Sequence, residues 1–235
     1  MTRVGAIDCG TNSIRLLVAD VDAASGRLVD VVRRMEIVRL GEGVDRTGRI
    51  GEQGMARTLA ATADYARVCS DLGVDRVRFV ATSASRDAAN RDEFVAGVRA
   101  RLGVEPEVVE GSVEAGLSFA GATRELLAEG LTGPFVVVDI GGGSTEVVRG
   151  SSGVEASLSV DIGCVRLTER HLASDPPAED EVLAARADVE EALDEVAEVV
   201  QLDGVSTLVG LAGTVTTVAA VALDLPGYDV PRTDP

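Results

Sequence analysis

The stretch AIDCGTNSIR (residues 6–15) returns as VVDIGGGSTE (residues 137–146), with Asp8, Gly10 and Ser13 meeting Asp139, Gly141 and Ser144 at a constant offset of 131. Self-similarity at a fixed offset marks a duplicated structural unit, which restricts the fold more than any single motif. Each copy follows an apolar run, RVGAI or PFVVV, and precedes another, IRLLVADV or TEVVRG. Short apolar runs bounded by Gly-rich loops read as buried strands. Both halves therefore open as strand, Gly-containing loop, strand.

The rest of the first half continues this α/β pattern. Residues 28–38 form a third strand. Residues 53–72 carry Met55, Leu59, Thr62, Ala66, Cys69 and Leu72 at helical spacing and stop at Gly73, a C-terminal cap. A strand at 76–82, a helix at 87–102 ending on Gly103, a short strand in VEPEVVE and a helix at 112–129 complete the order βββαβαβα. The second half starts alike, with strands near 134–139, 145–149 and 155–162. SDPP at 174–177 then breaks the chain before an acidic helix, 178–200, whose expected apolar stripe is Val182, Val189, Leu193, Val196 and Val200. A strand at 205–211 and a helix at 214–223 follow. The boundaries expected are residues 1–130 for the first domain and 131–235 for the second, which stops one strand and one helix short of the first.

Composition narrows the chemistry. All 22 basic residues are arginine, so a P-loop lysine, a Schiff-base lysine and a lysine-activated nucleophile are excluded. Seventeen arginines stand against 20 acids in residues 1–130, and five against 19 in residues 131–235. A net charge of −17 argues against nucleic acid as a partner. Three cysteines, Cys9, Cys69 and Cys164, lie in scattered contexts and read as reduced thiols of a cytoplasmic protein. The uncharged run 204–223 is interrupted by Gly210 and Gly213 and carries four threonines, so it reads as strand, turn and helix and not as a membrane span.

Gly-rich strand-loop-strand turns gather backbone N–H groups into an anion nest, with Ser and Thr hydroxyls as added donors. Two loops fit: Gly10, Thr11, Asn12 and Ser13, and Gly141, Gly142, Gly143, Ser144 and Thr145. Facing each other, they could grip a phosphate chain from both sides. Asp8 and Asp139 stand at matched strand ends, where a Mg2+ ligand works through carboxylate and water while substrate phosphates complete the shell. Glu146 lies just beyond the second loop. A third loop, GLAGTVTT, puts Gly213 and Thr214 at a helix start, a natural phosphate site. Arg86 could hold phosphate oxygens in a bidentate fashion or pair with Asp87 or Asp92. Glu114, in the first turn of a helix, could take a proton from water or merely cap that helix.

Cys9 and Arg15 also spell C-x5-R, the spacing of cysteine-dependent phosphatases. Such an enzyme needs its loop to run into a helix whose N–H groups lower the thiol pKa. Here the loop runs into the β-branched IRLLVADV, Asp8 sits beside the thiol, and the repeat has Ile140 at this place. Cys9 is expected to be a small core thiol.

The segments IDCGTNSIRLLVAD, ATSASRDAANRD, EGSVEAGLSFAGA, VVDIGGGSTEVV and GLAGTVTT, in this order, resemble the exopolyphosphatase/guanosine-pentaphosphate phosphatase family, in its short actinobacterial-type form. That family belongs to the sugar kinase, actin and heat-shock ATPase superfamily. The resemblance implies duplicated actin-like, ribonuclease H-like domains, each a mixed sheet with flanking helices. It implies phosphate loops at 10–13 and 141–145, a phosphate-binding Arg86, a catalytic Glu114, and Asp139 and Glu146 as metal-binding or water-orienting acids. Val113 stands where the family usually carries the first of two adjacent glutamates, which leaves Glu114 as the base. The expected activity is Mg2+- or Mn2+-dependent release of terminal phosphate from inorganic polyphosphate, guanosine pentaphosphate or both, in the cytoplasm, by a protein that forms a homodimer. The competing readings are a non-catalytic polyphosphate or alarmone-nucleotide sensor and, more weakly, a kinase of the same superfamily.

Overall fold

A computed structural model of the protein describes residues 1–225. The chain divides into two units, Met1–Glu110 and the part from Gly111 onward. The repeat expected to begin at residue 131 thus starts inside the second unit, behind a helix that the second sheet claims.

In the first unit the elements are β1 (Thr2–Cys9), β2 (Ser13–Val21), β3 (Leu28–Ile37), α1 (Val44–Thr47), α2 (Glu52–Asp71), β4 (Arg76–Ala81), α3 (Ser83–Asp87), α4 (Arg91–Leu102) and β5 (Glu107–Val108). Strand order is β3-β2-β1-β4-β5, with β1 antiparallel to β2 and parallel to β4. Alternation along β1 sends Ile7 and Cys9 into the core and leaves Ala6 and Asp8 on the exposed face. The inward side chains meet Tyr65 of α2, Phe94 and Val98 of α4, and Phe79 of β4. Burial of each large apolar side chain contributes roughly 1.5–3 kcal/mol. Helix α2 ends as its Gly73 predicts, with φ +62. The helix expected over 87–102 begins at Arg91 as α4, and the short α3 precedes it; the buried Asn90 between them accepts from the Ile50 N–H at 2.9 Å and donates to its carbonyl at 3.1 Å.

The second unit comprises α5 (Gly111–Ala128), β6 (Phe135–Ile140), β7 (Thr145–Gly150), β8 (Val154–Val160), α6 (Cys164–His171), α7 (Glu179–Val199), β9 (Thr207–Leu211) and α8 (Ala212–Ala222). Its order, β8-β7-β6-β9, reproduces β3-β2-β1-β4 with the same strand senses. One face carries Phe135, Val137 and Val148 and is covered by Ala115 and Phe119 of α5. The other carries Val136, Val147 and Val160 and is covered by Ala192, Val196 and Val200. The inward stripe of α7 therefore runs through Val189, Ala192 and Val196 and on to Val200 just past its end, whereas the expected Val182 and Leu193 are 50% and 51% exposed. Leu193 and Ala192 are neighbours in sequence about 100° apart on the helix, so only one of them can face the sheet, and it is Ala192.

Run 204–223 is β9 followed by α8, as its glycines imply, and among the described residues no helix is long and apolar enough to cross a membrane.

Candidate functional site

The two Gly loops share one construction. Gly10 donates its N–H to the Ser13 carbonyl at 3.0 Å, and Gly141 donates to the Ser144 carbonyl at 3.0 Å. In each loop the carbonyls are held from behind by the segment that follows the third strand. Val38 and Arg39 donate to the Asn12 carbonyl and Gly41 to that of Thr11. Cys164 donates to Gly141, Val165 and Arg166 to Gly142, and the Arg166 Nε reaches the Gly143 carbonyl at 2.6 Å. In a planar trans peptide the C=O and the next N–H point opposite ways. Fixing these carbonyls inward therefore turns the N–H groups of Asn12, Gly142, Gly143 and Ser144 outward, the arrangement an anion nest requires.

Two glycines outside the loops make the close approach possible. A Cβ at Gly41 would lie 2.2 Å from the Thr11 Cγ2, and one at Gly163 would lie 2.6 Å from the Gly142 carbonyl. The sequence reading missed both, although each follows the third strand of its repeat. Helix α6, also missed, begins at this contact and leaves the Gly142 carbonyl holding two amides.

Two of the loop hydroxyls are engaged within the protein. Thr11 is buried, its Oγ1 2.8 Å from the Ser83 Oγ, and the Thr145 Oγ1 donates to the Ile162 carbonyl at 2.8 Å. Both residues brace their loops from within. Gly213 and Thr214 fall in the first turn of α8, one and two residues after its start at Ala212, which holds φ +69. The Gly213 carbonyl accepts from Thr216 and Thr217.

Arg86 sits in the last turn of α3 and is half-buried. Its Nη1 donates to the Val109 carbonyl at 3.0 Å, and its Nε lies 3.9 Å from the Asp87 carboxylate. The pairing with Asp87 thus exists at long range, and Asp92 lies instead beside Arg91, at 4.0 Å. Asp8 is exposed on the outer face of β1, directly across from Arg15 on β2. That register disposes of the C-x5-R pattern: Cys9 pairs with Ile14 and faces the core, so Arg15 is on the opposite side of the sheet from the thiol. Burial, with Asp8 adding to it, pushes the Cys9 thiol well above its usual range, the reverse of what a nucleophile needs.

The acidic residues of the second unit come together. Asp139 and Glu146 are direct cross-strand partners on β6 and β7, and Glu146 is in turn opposite Ser159 on β8. Cross-strand partners share one sheet face, and this is the face α5 covers. Glu146 is 1% exposed and accepts from the Ser159 Oγ at 2.8 Å. The Ser118 Oγ of α5 donates to the Asp139 Oδ2 at 2.6 Å. Glu114 precedes Ser118 by four residues, hence lies on the same helix face one turn away. The donors gathered here are carboxylate and hydroxyl oxygens, which suit a hard cation such as Mg2+. Among the described residues no three His, Cys, Asp or Glu side chains form a closed cage. Mg2+ commonly takes one or two carboxylates and leaves its remaining positions to water and phosphate, so Asp139 fits that role. Ser118 and Ser159 had no distinguishing spacing in the sequence.

The profile of the Ppx/GppA phosphatase family matches residues 17–232. Exopolyphosphatase 2 of Mycobacterium tuberculosis is 54% identical over an alignment of 236 positions, which covers 97% of this chain and 73% of that protein. A solved exopolyphosphatase-like protein superposes with a TM-score of 0.90 at 45% identity, covering 95% of this chain and 70% of the other. The Ppx/GppA family member of Aquifex aeolicus superposes with a TM-score of 0.76 at 35% identity, covering 98% and 72%.

Proposed function

The chain belongs to the Ppx/GppA phosphatase family, and from that premise we propose that it is a Mg2+-dependent phosphohydrolase that releases terminal phosphate from inorganic polyphosphate, with guanosine pentaphosphate as a second substrate. Exopolyphosphatase-family phosphohydrolase chemistry and the duplicated actin-like fold rest on the relatives themselves.

One observation carries it: α5 brings Glu114 within one helical turn of Ser118, whose hydroxyl is bonded to Asp139. A proton acceptor and a metal-binding carboxylate are thereby held on one rigid frame. Outward N–H groups of the loop at 141–144 bind phosphate oxygens, and the loop at 10–13 and Arg86 do the same in the first unit. Glu114 takes a proton from the attacking water, a contribution worth ~10²–10⁴ in rate. Mg2+ held by Asp139, or Mn2+ in its place, would offset phosphate charge. Asp8 holds the matched strand end in the first unit and is a candidate ligand there, and Glu146, buried and bonded to Ser159, is the water-orienting acid.

Phosphate release from long-chain polyphosphate, with and without Mg2+, tests the proposal. Turnover supports it. Tight polyphosphate binding with no turnover would overturn it in favour of a sensor. No aromatic side chain near 210–217 offers a stacking platform for guanine, which places polyphosphate ahead of the nucleotide.

A further inference from the structure

Ser118 is a small hydroxyl on a helix whose other inward residues, Ala115 and Phe119, are apolar core. A serine in a helix interior commonly returns its hydroxyl to a carbonyl one turn back, as Thr123 of the same helix does to Phe119 at 2.8 Å. Ser118 does not. Its hydroxyl crosses to the sheet and donates to Asp139 at 2.6 Å, a short charge-assisted bond. The bond fixes two things together. It holds the Asp139 carboxylate in one rotation about its terminal torsion, a torsion otherwise broad. It also ties α5 in register to β6, and with it Glu114, one turn earlier on the same face.

The geometry points to Ser118 as a positioning residue that orients Asp139 toward a divalent cation and sets Glu114 relative to it. This inference rests on the reading of Asp139 as a metal ligand and Glu114 as the base. Ser118 touches neither substrate nor water in the reaction. Partners that orient metal ligands typically control 10–100-fold in affinity or activity when removed, and displacement of a base by about 1 Å can cost 10² in rate.

The test compares the parent with Ser118→Thr, which keeps the hydroxyl, and Ser118→Val, which has the shape of threonine without it. Thr and Val carry similar β-branching, so any general effect on the helix is shared. Mn2+ binding is measured by electron paramagnetic resonance on the free protein and in the presence of polyphosphate, alongside steady-state polyphosphate hydrolysis. Ser118→Val should bind Mn2+ roughly 10-fold more weakly and lose roughly 10–100-fold in kcat, with KM for polyphosphate within about twofold. Ser118→Thr should recover most of both losses. An active parent whose Ser118→Val variant equals it in Mn2+ affinity and kcat overturns the role of Ser118 alone. Equal losses in Thr and Val overturn it too, because packing and not the hydroxyl would be responsible. A parent that binds Mn2+ without turning over polyphosphate overturns the hydrolase reading, and the Mn2+ comparison among the variants then decides the role of Ser118. A parent that does neither overturns both.

Discussion

Glu114 and Cys9 are the two residues on which rival phosphatase chemistries turn, and their surroundings separate them. Glu114 lies in the first turn of α5, near the positive end of the helix, where a carboxylate is stabilised in its charged form. Glu114→Gln keeps the shape and removes the proton acceptor. Its kcat for polyphosphate should fall by ~10²–10⁴ while polyphosphate binding, followed by calorimetry, stays near parental. Phosphate release at the parental rate would unseat Glu114 as the base. Cys9 is 1% exposed among Ile7, Ile14 and Phe79. Cys9→Ser puts a hydroxyl without an assured partner into that core and should cost ~1–2 kcal/mol in denaturant unfolding. Turnover per folded molecule should hardly change, whereas abolition of turnover would restore the thiol as nucleophile.

At the scale of elements, each Gly loop is shaped less by itself than by the segment behind it. Gly163 has an extended backbone that any residue adopts, with φ −173, so a side chain there is excluded by crowding alone. The obstacle is the backbone at Gly142 and Gly143, which cannot rotate aside. Gly163→Ala should push the loop outward and lower kcat/KM for polyphosphate roughly 10–100-fold in a protein of parental circular dichroism. Helix α6, which starts there, is tied to α7 by Asp188, whose Oδ2 lies 2.8 Å from the His171 Nε2 and 2.7 Å from the Arg170 Nη1. These partners, His171 first, hold the Asp188 carboxyl below its ordinary value of 3.8. A depressed carboxylate stabilises the fold above its unfolded pKa and loses that contribution as pH falls through the folded one. Asp188→Asn should therefore lower stability by about 1 kcal/mol at pH 7. The gap to the parent should close below pH about 3.8 in acid titrations of thermal unfolding. A gap that persists unchanged at low pH would mean the tie is not electrostatic.

For the molecule as a whole, the proposed chemistry depends on a divalent cation and on the anionic substrate being recognised locally despite a net charge of −17. EDTA should abolish polyphosphate hydrolysis, with Mg2+ or Mn2+ restoring it; cysteine-dependent hydrolysis needs no metal and would survive. A comparison of kcat/KM for polyphosphate and for guanosine pentaphosphate should favour the former, given the lack of an aromatic platform near 210–217. Preference for the nucleotide would place guanine recognition elsewhere in the fold.

The duplication, the mixed sheets and the positions of both Gly loops were legible in the residues, because strand alternation, Gly punctuation and a fixed repeat are local properties that survive in one dimension. So was the place of Cys9 in the core, since IRLLVADV prefers strand to helix and strand alternation then turns the thiol inward. What the sequence could not disclose depends on contacts between distant segments. It counted α5 with the first half, by order along the chain; the fold gives that helix to the second sheet, where Phe119 meets Phe135 and Val148. It offered the hydroxyls of Thr11 and Thr145 to phosphate, and packing turned both toward protein partners. Gly41 and Gly163 looked like ordinary loop residues until what they must admit was in place, the Thr11 side chain for the one and the Gly142–Gly143 backbone for the other. Ser118 carried no signal at all, for a hydroxyl acquires its role only from what stands opposite, and Asp139, 21 residues further along the chain, is brought opposite it only when β6 packs against α5.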